Sequence, residues 1–61
     1  MNAADGIVGK TGTVLNDQRV KVDGQSWKYA TDAKLNVGDS VKVVALNGVT
    51  LQVQKIKEKE D

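Results

Sequence analysis

Residues 6 to 12, GIVGKTG, are the stretch of this chain that most resembles a chemical motif. Gly9-Lys10-Thr11 matches the end of the phosphate-binding loop G-x-x-x-x-G-K-[ST], in which backbone amides and a lysine bind phosphates. The full motif needs a glycine five positions before Gly9, where Ala4 stands. It also needs a helix after the threonine, whereas Thr13-Val14-Leu15 is typical of a strand. The sequence therefore does not predict a nucleotide site.

Few other residues could carry catalysis or hold a metal. The chain has no histidine and no cysteine, which removes the usual general base and the common ligands of transition metals. Ser26 and Ser40 consequently have no histidine to activate them. The aspartates mostly stand in turn-like stretches, and the calcium-loop pattern D-x-[DN]-x-[DN]-G is absent. We predict no catalytic residue, no cofactor and no metal site, and hence no enzyme.

The length and charge of the chain limit its organisation. Its 61 residues, with a net charge of +1, allow one small domain. Such a chain buries only about 60% of the surface that its unfolded form exposes, so its core is small. No apolar run approaches the length of a membrane span. We expect a disordered or linker segment at 1–6, a folded domain at 7–56 and a charged tail at 57–61.

Short runs of β-forming residues alternate with turn signals, which predicts an all-β domain. Five strands are predicted, at 7–15, 19–22, 25–30, 40–45 and 49–56. Gly9 and Gly12 lie inside the first strand, where glycines are expected if a strand bends at a barrel corner, with Lys10 pointing to solvent. The connection at 31–39 is too short for a stable helix and reads as a crossing loop. Leu35 and Val37 are expected to close one end of the barrel.

Asp23-Gly24 is a two-residue hairpin signal and sets the register of the strands on either side. It places Val20 opposite Trp27, and directly opposed residues share a face of the sheet. The inner face then carries Val20, Val22, Trp27 and Tyr29. The outer face carries Arg19, Lys21, Ser26 and Lys28. The two aromatic residues are therefore predicted to belong to the core and not to form a stacking platform.

The hairpin of strands 4 and 5 admits two registers. A two-residue Asn-Gly turn would set the inward valines of strand 4 on the other face from the apolar residues of strand 5. A three-residue loop at 46–48, with its glycine in the left-handed conformation, pairs Val43 with Leu51 and Val41 with Val53. We predict the three-residue loop, because a slip of one residue turns every side chain to the other face.

The order of these elements is that of an OB-fold barrel. A meander of strands 1, 2 and 3, a crossing loop and a hairpin of strands 4 and 5, with a bent first strand, give its five-stranded layout. An SH3-like barrel is the main alternative. It also has five strands, but it usually has a long early loop that this chain lacks.

Three motifs in the chain carry a resemblance to a known family. They are G-x-x-G-x-V from Gly9, V-x-V-D-G-x-x-W from Val20, and L-x-V-G-D-x-V-x-V-V-x-x-x-G-x-x-L-x-V from Leu35. Over residues 7–54 the chain resembles the C-terminal soluble domain of NfeD-like proteins. The resemblance implies an OB-fold, attachment to membrane helices outside this chain, and a partner of the stomatin or flotillin type. It implies no catalytic residue in this domain.

These observations predict a non-catalytic, monomeric OB-fold module that binds a protein partner at a membrane. The predicted contact surface is the outward set Arg19, Lys21 and Lys28. Val44 and Leu46 are a second option, since the predicted register turns them away from the core. The alternative function is binding of single-stranded nucleic acid on the basic face of strands 2 and 3. It is disfavoured because both aromatic residues face inward and the net charge is nearly zero.

Overall fold

The structure is a computed structural model that describes residues 6–56, and the tail expected at 57–61 and most of the N-terminal segment expected at 1–6 lie outside these residues. Five strands follow one another along the chain. They are β1 Thr11–Leu15, β2 Arg19–Val22, β3 Gln25–Ala30, β4 Ser40–Asn47 and β5 Thr50–Lys55. The bounds of β2 and β3 match the prediction at both ends, while β4 is two residues longer and β5 one residue shorter at each end.

The strands close a barrel in the order β1-β2-β3-β5-β4, with β1 pairing with β4. All neighbours are antiparallel except β3 and β5, which run parallel along Lys28–Ala30 and Thr50–Gln52. The connection between β3 and β4 contains no helix. This topology is that of the OB-fold, so the predicted all-β class, strand count and helix-free crossing are confirmed.

The first strand is shorter than predicted. It begins at Thr11, and Val8-Gly9 forms a turn before it, with Gly9 at a φ of 97°. The Gly9 N–H donates to the Val43 carbonyl (2.8 Å), and the Val43 N–H donates to the Lys10 carbonyl (2.9 Å). This turn therefore runs beside β4 outside the regular strand. Only Gly12 lies inside β1, and the prediction that Gly9 does is wrong.

The barrel interior is filled by aliphatic side chains. The buried residues are Ile7, Val14, Val20, Val22, Val41, Val43, Leu51 and Val53. Four half-buried residues pack against them: Trp27, Tyr29, Leu35 and Leu46. Fully burying one such aliphatic side chain stabilises the fold by about 1.5–3 kcal/mol. Val37 does not join this core as predicted: it is 61% exposed, because it lies in a surface turn with Gly38.

The hairpin of β2 and β3 has the predicted register. Asp23 and Gly24 have φ values of 53° and 79°, as a tight two-residue hairpin turn requires. Val20 lies opposite Trp27, and the pairing continues to Val22 opposite Gln25 at the turn. The inner and outer faces of these strands are therefore those expected from the sequence.

The turn between β4 and β5 differs from both registers considered. It consists of Gly48-Val49 and is closed by Asn47 opposite Thr50. Gly48 has a φ of 62°, so its predicted left-handed conformation is confirmed even though the loop around it is shorter. Val49 is expelled into solvent at the tip of this turn and is 76% exposed.

A bulge in β4 explains why neither predicted register is correct. Leu46 lies opposite Leu51, while Val43 lies opposite Val53, so β4 carries one residue more than β5 between these two pairs. The extra residue, Val44, lets the inward valines and a tight turn coexist, which a regular ladder forbids. Leu46 consequently packs against the core, and the prediction that it faces outward is wrong.

Candidate functional site

The three basic residues predicted as a contact surface lie together on the outer face of β2 and β3. Arg19 lies directly opposite Lys28, and Lys21 is the next outward residue of β2, opposite Ser26. All of them are exposed. We name the set Arg19, Lys21 and Lys28 the basic stripe. Its three cations are brought onto one surface by the turn at Asp23-Gly24, which fixes the register of the hairpin.

Arg19 is held in place across this surface. Its Nε donates a hydrogen bond to Ser26 Oγ (2.6 Å), and its Nη2 donates to the Ser26 carbonyl oxygen (3.1 Å). Both acceptors belong to one residue of the neighbouring strand, so the guanidinium lies along the sheet. The guanidinium has further N–H donors besides these two.

The wall of the barrel carries charge of one sign only. The five strands contain Arg19, Lys21, Lys28, Lys42 and Lys55 and no acidic residue. Within residues 6–56 every acidic residue lies in a connection: Asp17, Asp23, Asp32 and Asp39. The net charge of +1 therefore conceals a separation, in which a basic wall is flanked by acidic loops.

The ion pairs of the described residues leave the basic stripe uncompensated. Lys10 Nζ lies 2.9 Å from Asp23 Oδ2, and Lys55 Nζ lies 3.6 Å from Asp39 Oδ2. None of the three cations of the stripe takes part in an ion pair with another residue of 6–56. Within residues 6–56, no ion pair therefore neutralises the positive charge of this face.

Small polar residues extend the stripe sideways. Thr13 of β1 lies opposite Lys21 and also opposite Ser40 of β4, and Thr50 of β5 lies beside Lys28. These side chains are short, so the surface across the strands is polar and does not project far from the sheet. Aromatic side chains are missing from it, because Trp27 and Tyr29 pack against the core.

The second predicted surface does not form as a pair. Val44 is 41% exposed at the bulge, whereas Leu46 packs inward. Val44 instead lines a groove of about 630 Å³ between β4, the second half of β5 and the start of the β3–β4 connection, with Thr31, Asp32, Ala33, Ala45, Gln52, Val53, Gln54 and Lys55. The groove begins where β3 stops pairing with β5, after Ala30.

Neither surface offers the groups of a reactive centre. Ionisable groups in the groove are limited to Asp32 and Lys55. Across residues 6–56, no three acidic, histidine or cysteine side chains are grouped so that they could hold a metal ion. The same residues include no helix long and apolar enough to cross a membrane. The described chain presents the basic stripe and the groove as two candidate surfaces on a packed barrel.

Comparison with solved structures supports this architecture. The C-terminal domain of stomatin operon partner protein 1510-C from Pyrococcus horikoshii has a TM-score of 0.76 and 28% sequence identity, covering 88% of this chain and 94% of that one. The soluble domain of a membrane protein implicated in regulation of membrane protease activity, from Corynebacterium glutamicum, has a TM-score of 0.79 over 87% and 97% of the two chains. At 24% identity, the latter shows the shared fold alone.

Sequence comparison gives the family. An uncharacterized protein of Methanocaldococcus jannaschii is 32% identical over 60 residues, which cover 88% of this chain and 44% of that protein. The chain thus spans less than half the length of this relative. The family model of the NfeD-like C-terminal, partner-binding domain matches residues 4–55. Since that match covers nearly the whole chain, the chain belongs to the NfeD-like family and corresponds to the C-terminal, partner-binding domain of that family.

Proposed function

We propose that this domain is a non-catalytic module that binds a membrane protein of the stomatin or flotillin type. The family model that matches the chain is described as a partner-binding domain. The Pyrococcus horikoshii neighbour, at 28% identity, is a stomatin operon partner protein, which supports this class of partner.

The observation that carries the proposal is the distribution of side chains between the inside and the outside of the barrel. Eight aliphatic side chains fill the interior, so recognition must use the outer wall and its loops. On that wall lie the basic stripe of Arg19, Lys21 and Lys28 and the bulge residue Val44. A rigid barrel that presents such surfaces binds without a large ordering cost, which suits an interaction module.

Calorimetric titration with a purified stomatin-type protein tests this function. The protein chosen should be encoded beside the gene for this chain, and its membrane-anchoring segment should be removed. We expect saturable binding with a Kd on the order of micromolar, a value common for transient partners. A stomatin-type protein from an unrelated operon is the control and should bind more weakly. Absence of heat with both proteins would refute the proposed partner class.

Binding of single-stranded nucleic acid is the second candidate, favoured by the position of the basic stripe on β2 and β3. OB-folds that bind single strands stack bases on aromatic side chains, whereas Trp27 and Tyr29 pack against the core here. We therefore expect mixed-sequence oligonucleotides to leave the amide spectrum of the domain unchanged at moderate salt. Affinity that falls steeply with salt, with shifts at residues 19–28, would support this second function.

A further inference from the structure

We propose that the basic stripe binds an extended acidic segment of the partner protein, with one carboxylate held between Arg19 and Lys28. This inference rests on the proposed function, because it assumes that the partner is a protein. It adds the surface used and the chemistry of the segment that fits it.

The opposed cations Arg19 and Lys28 favour the binding of an anion between them. Arg19 and Lys28 lie directly opposite each other in an antiparallel pair, and like charges in opposed positions are destabilising. No acidic residue of 6–56 pairs with either cation. A carboxylate placed between them replaces this repulsion by two attractions, so this part of the barrel wall favours an anionic group.

Arg19 gives the site its geometry. The two hydrogen bonds to Ser26 fix the guanidinium against the sheet before any partner arrives. A planar, fixed guanidinium binds a carboxylate through two parallel N–H groups and loses less rotational freedom than a mobile lysine does. Preorganisation of this kind raises affinity and favours a carboxylate of defined orientation over a diffuse cloud of negative charge.

The spacing of the stripe points to an extended segment. The Arg19 guanidinium lies on Ser26, and Ser26 and Lys28 lie two residues apart on the outer face of β3, which is a distance of about 6.6 Å along the strand. An extended chain with an acidic residue at every second position presents carboxylates at the same interval. The short hydroxyl side chains of Thr13, Ser26 and Thr50 leave room for such a chain to lie along the sheet.

Three ligand classes could supply anions, and the surface favours a protein. Nucleic acid lacks its stacking partners, since Trp27 and Tyr29 pack against the core. A lipid surface needs only flexible cations at a plane, whereas the Arg19 guanidinium is oriented by two hydrogen bonds to Ser26. The oriented guanidinium of Arg19 and the two-residue spacing of the cationic groups together match carboxylates on a polypeptide.

Peptide titration followed by backbone amide NMR tests the proposal. The probes are a peptide of alternating glutamate and serine and a peptide of the same composition with the glutamates in adjacent pairs. We expect the alternating peptide to shift amides of residues 19–28 and to bind about threefold or more tightly than its rearranged control, because both carry the same charge. Equal affinity would overturn the spacing argument and with it the proposal.

Charge-reversal variants provide the matched control. Lys28→Glu and Lys34→Glu change the net charge equally, but Lys34 lies in the β3–β4 connection and does not belong to the stripe. We expect Lys28→Glu to weaken binding of the alternating peptide about tenfold or more, and Lys34→Glu to weaken it about twofold or less. Equal losses would show a general charge effect and overturn the proposal. Lys28→Gln serves in place of the reversal if that variant does not fold.

Further titrations distinguish the two proposals and the rival ligands. If the stomatin-type protein binds the wild type and Lys28→Glu alike, the stripe is not the contact surface, while the proposed function stands. If it does not bind the wild type, the proposed function fails, and the peptide titrations alone decide whether the stripe takes carboxylates. Tighter binding at the stripe by oligonucleotides or by phosphatidylglycerol vesicles than by the alternating peptide would overturn the acidic-segment proposal.

Discussion

Gly12 and Val22 approach so closely that a β-carbon on Gly12 would lie 2.7 Å from Val22 Cγ2. The same carbon would lie 2.7 Å from the Lys21 carbonyl oxygen, which is backbone and cannot swing away. Gly12 stands opposite Val41, on the inward-facing side of β1. Strands β1 and β2 therefore coil against each other at a point where the barrel has no room for a side chain.

Gly12→Ala is expected to lower the free energy of unfolding by about 2–3 kcal/mol, because the added methyl forces the two strands apart. That is a large share of the total for a domain of this size, about 3–9 kcal/mol at typical values per residue. Urea denaturation followed by tryptophan fluorescence measures the change in the free energy of unfolding. Gly6→Ala is the control, since no atom lies within 4 Å of its added carbon. Equal losses in both variants would contradict the close approach.

The sequence predicts the β2–β3 hairpin well and the β4–β5 hairpin poorly for one physical reason. Asp23-Gly24 specifies its turn locally, because both residues tolerate positive φ, and the register follows from the turn. The bulge at Val44 is set by closure of the barrel, where β4 must pair with β1 on one side and β5 on the other. A local pattern contains no signal for that constraint.

Gly9 and Val37 illustrate the same difficulty. Gly9 and Gly12 stand in similar surroundings in the sequence, yet only at Gly12 would an added β-carbon meet a neighbouring strand. Val37 follows Leu35 at the spacing of a strand, but the chain turns at Gly38 and leaves Val37 exposed. Contacts between residues far apart in the chain decide that Gly12 and not Gly9 lies in a strand, and that Leu35 and not Val37 packs against the core.

The candidate surface is predictable in position but not in its chemistry. The hairpin register places Arg19, Lys21 and Lys28 on one face, and the structure agrees. The hydrogen bonds from Arg19 to Ser26, and the confinement of the described acidic residues to the connections, come only from the folded barrel. A net charge near zero suggests a neutral surface, whereas the strands form a positive one.

Threonine substitutions at two adjacent valines test the bulge. Val43→Thr places a hydroxyl in the buried core and is expected to cost about 1–3 kcal/mol of unfolding free energy. Val44→Thr places the same hydroxyl at an exposed position and should stay within about 0.5 kcal/mol of the wild type. Thermal and urea unfolding of the two variants gives the comparison. A larger loss at Val44 would mean that the bulge lies elsewhere in β4.

Trp27 tests the cost of a buried donor. Its Nε1 is buried and donates to no residue that the structure describes. Trp27→Phe removes that donor and keeps an aromatic ring, so we expect a change in unfolding free energy within about 1 kcal/mol. Trp27→Ala removes the ring as well and should cost about 3 kcal/mol. Circular dichroism monitors unfolding in both variants, and comparable losses would indicate that the indole N–H has an acceptor.

Asp23 combines an ion pair and a strained backbone position, and substitution separates the two. Its carboxylate pairs with Lys10 while both side chains are largely in solvent, and such exposed pairs contribute less than about 1 kcal/mol. Its φ of 53° is tolerated by asparagine and aspartate but disfavoured for alanine. We therefore expect Asp23→Asn to stay within about 0.5 kcal/mol of the wild-type unfolding free energy and Asp23→Ala to lose about 1 kcal/mol or more.

Lys10→Ala completes this test, because it removes the ion pair and leaves the turn untouched. Urea unfolding at low and high salt should show a loss below about 0.5 kcal/mol that shrinks as salt rises. If Asp23→Asn and Lys10→Ala each cost as much as Asp23→Ala, the ion pair and not the turn conformation would hold the β2–β3 hairpin in register. The expected order, with alanine at position 23 the most damaging, would assign the register of the basic stripe to the backbone of its turn.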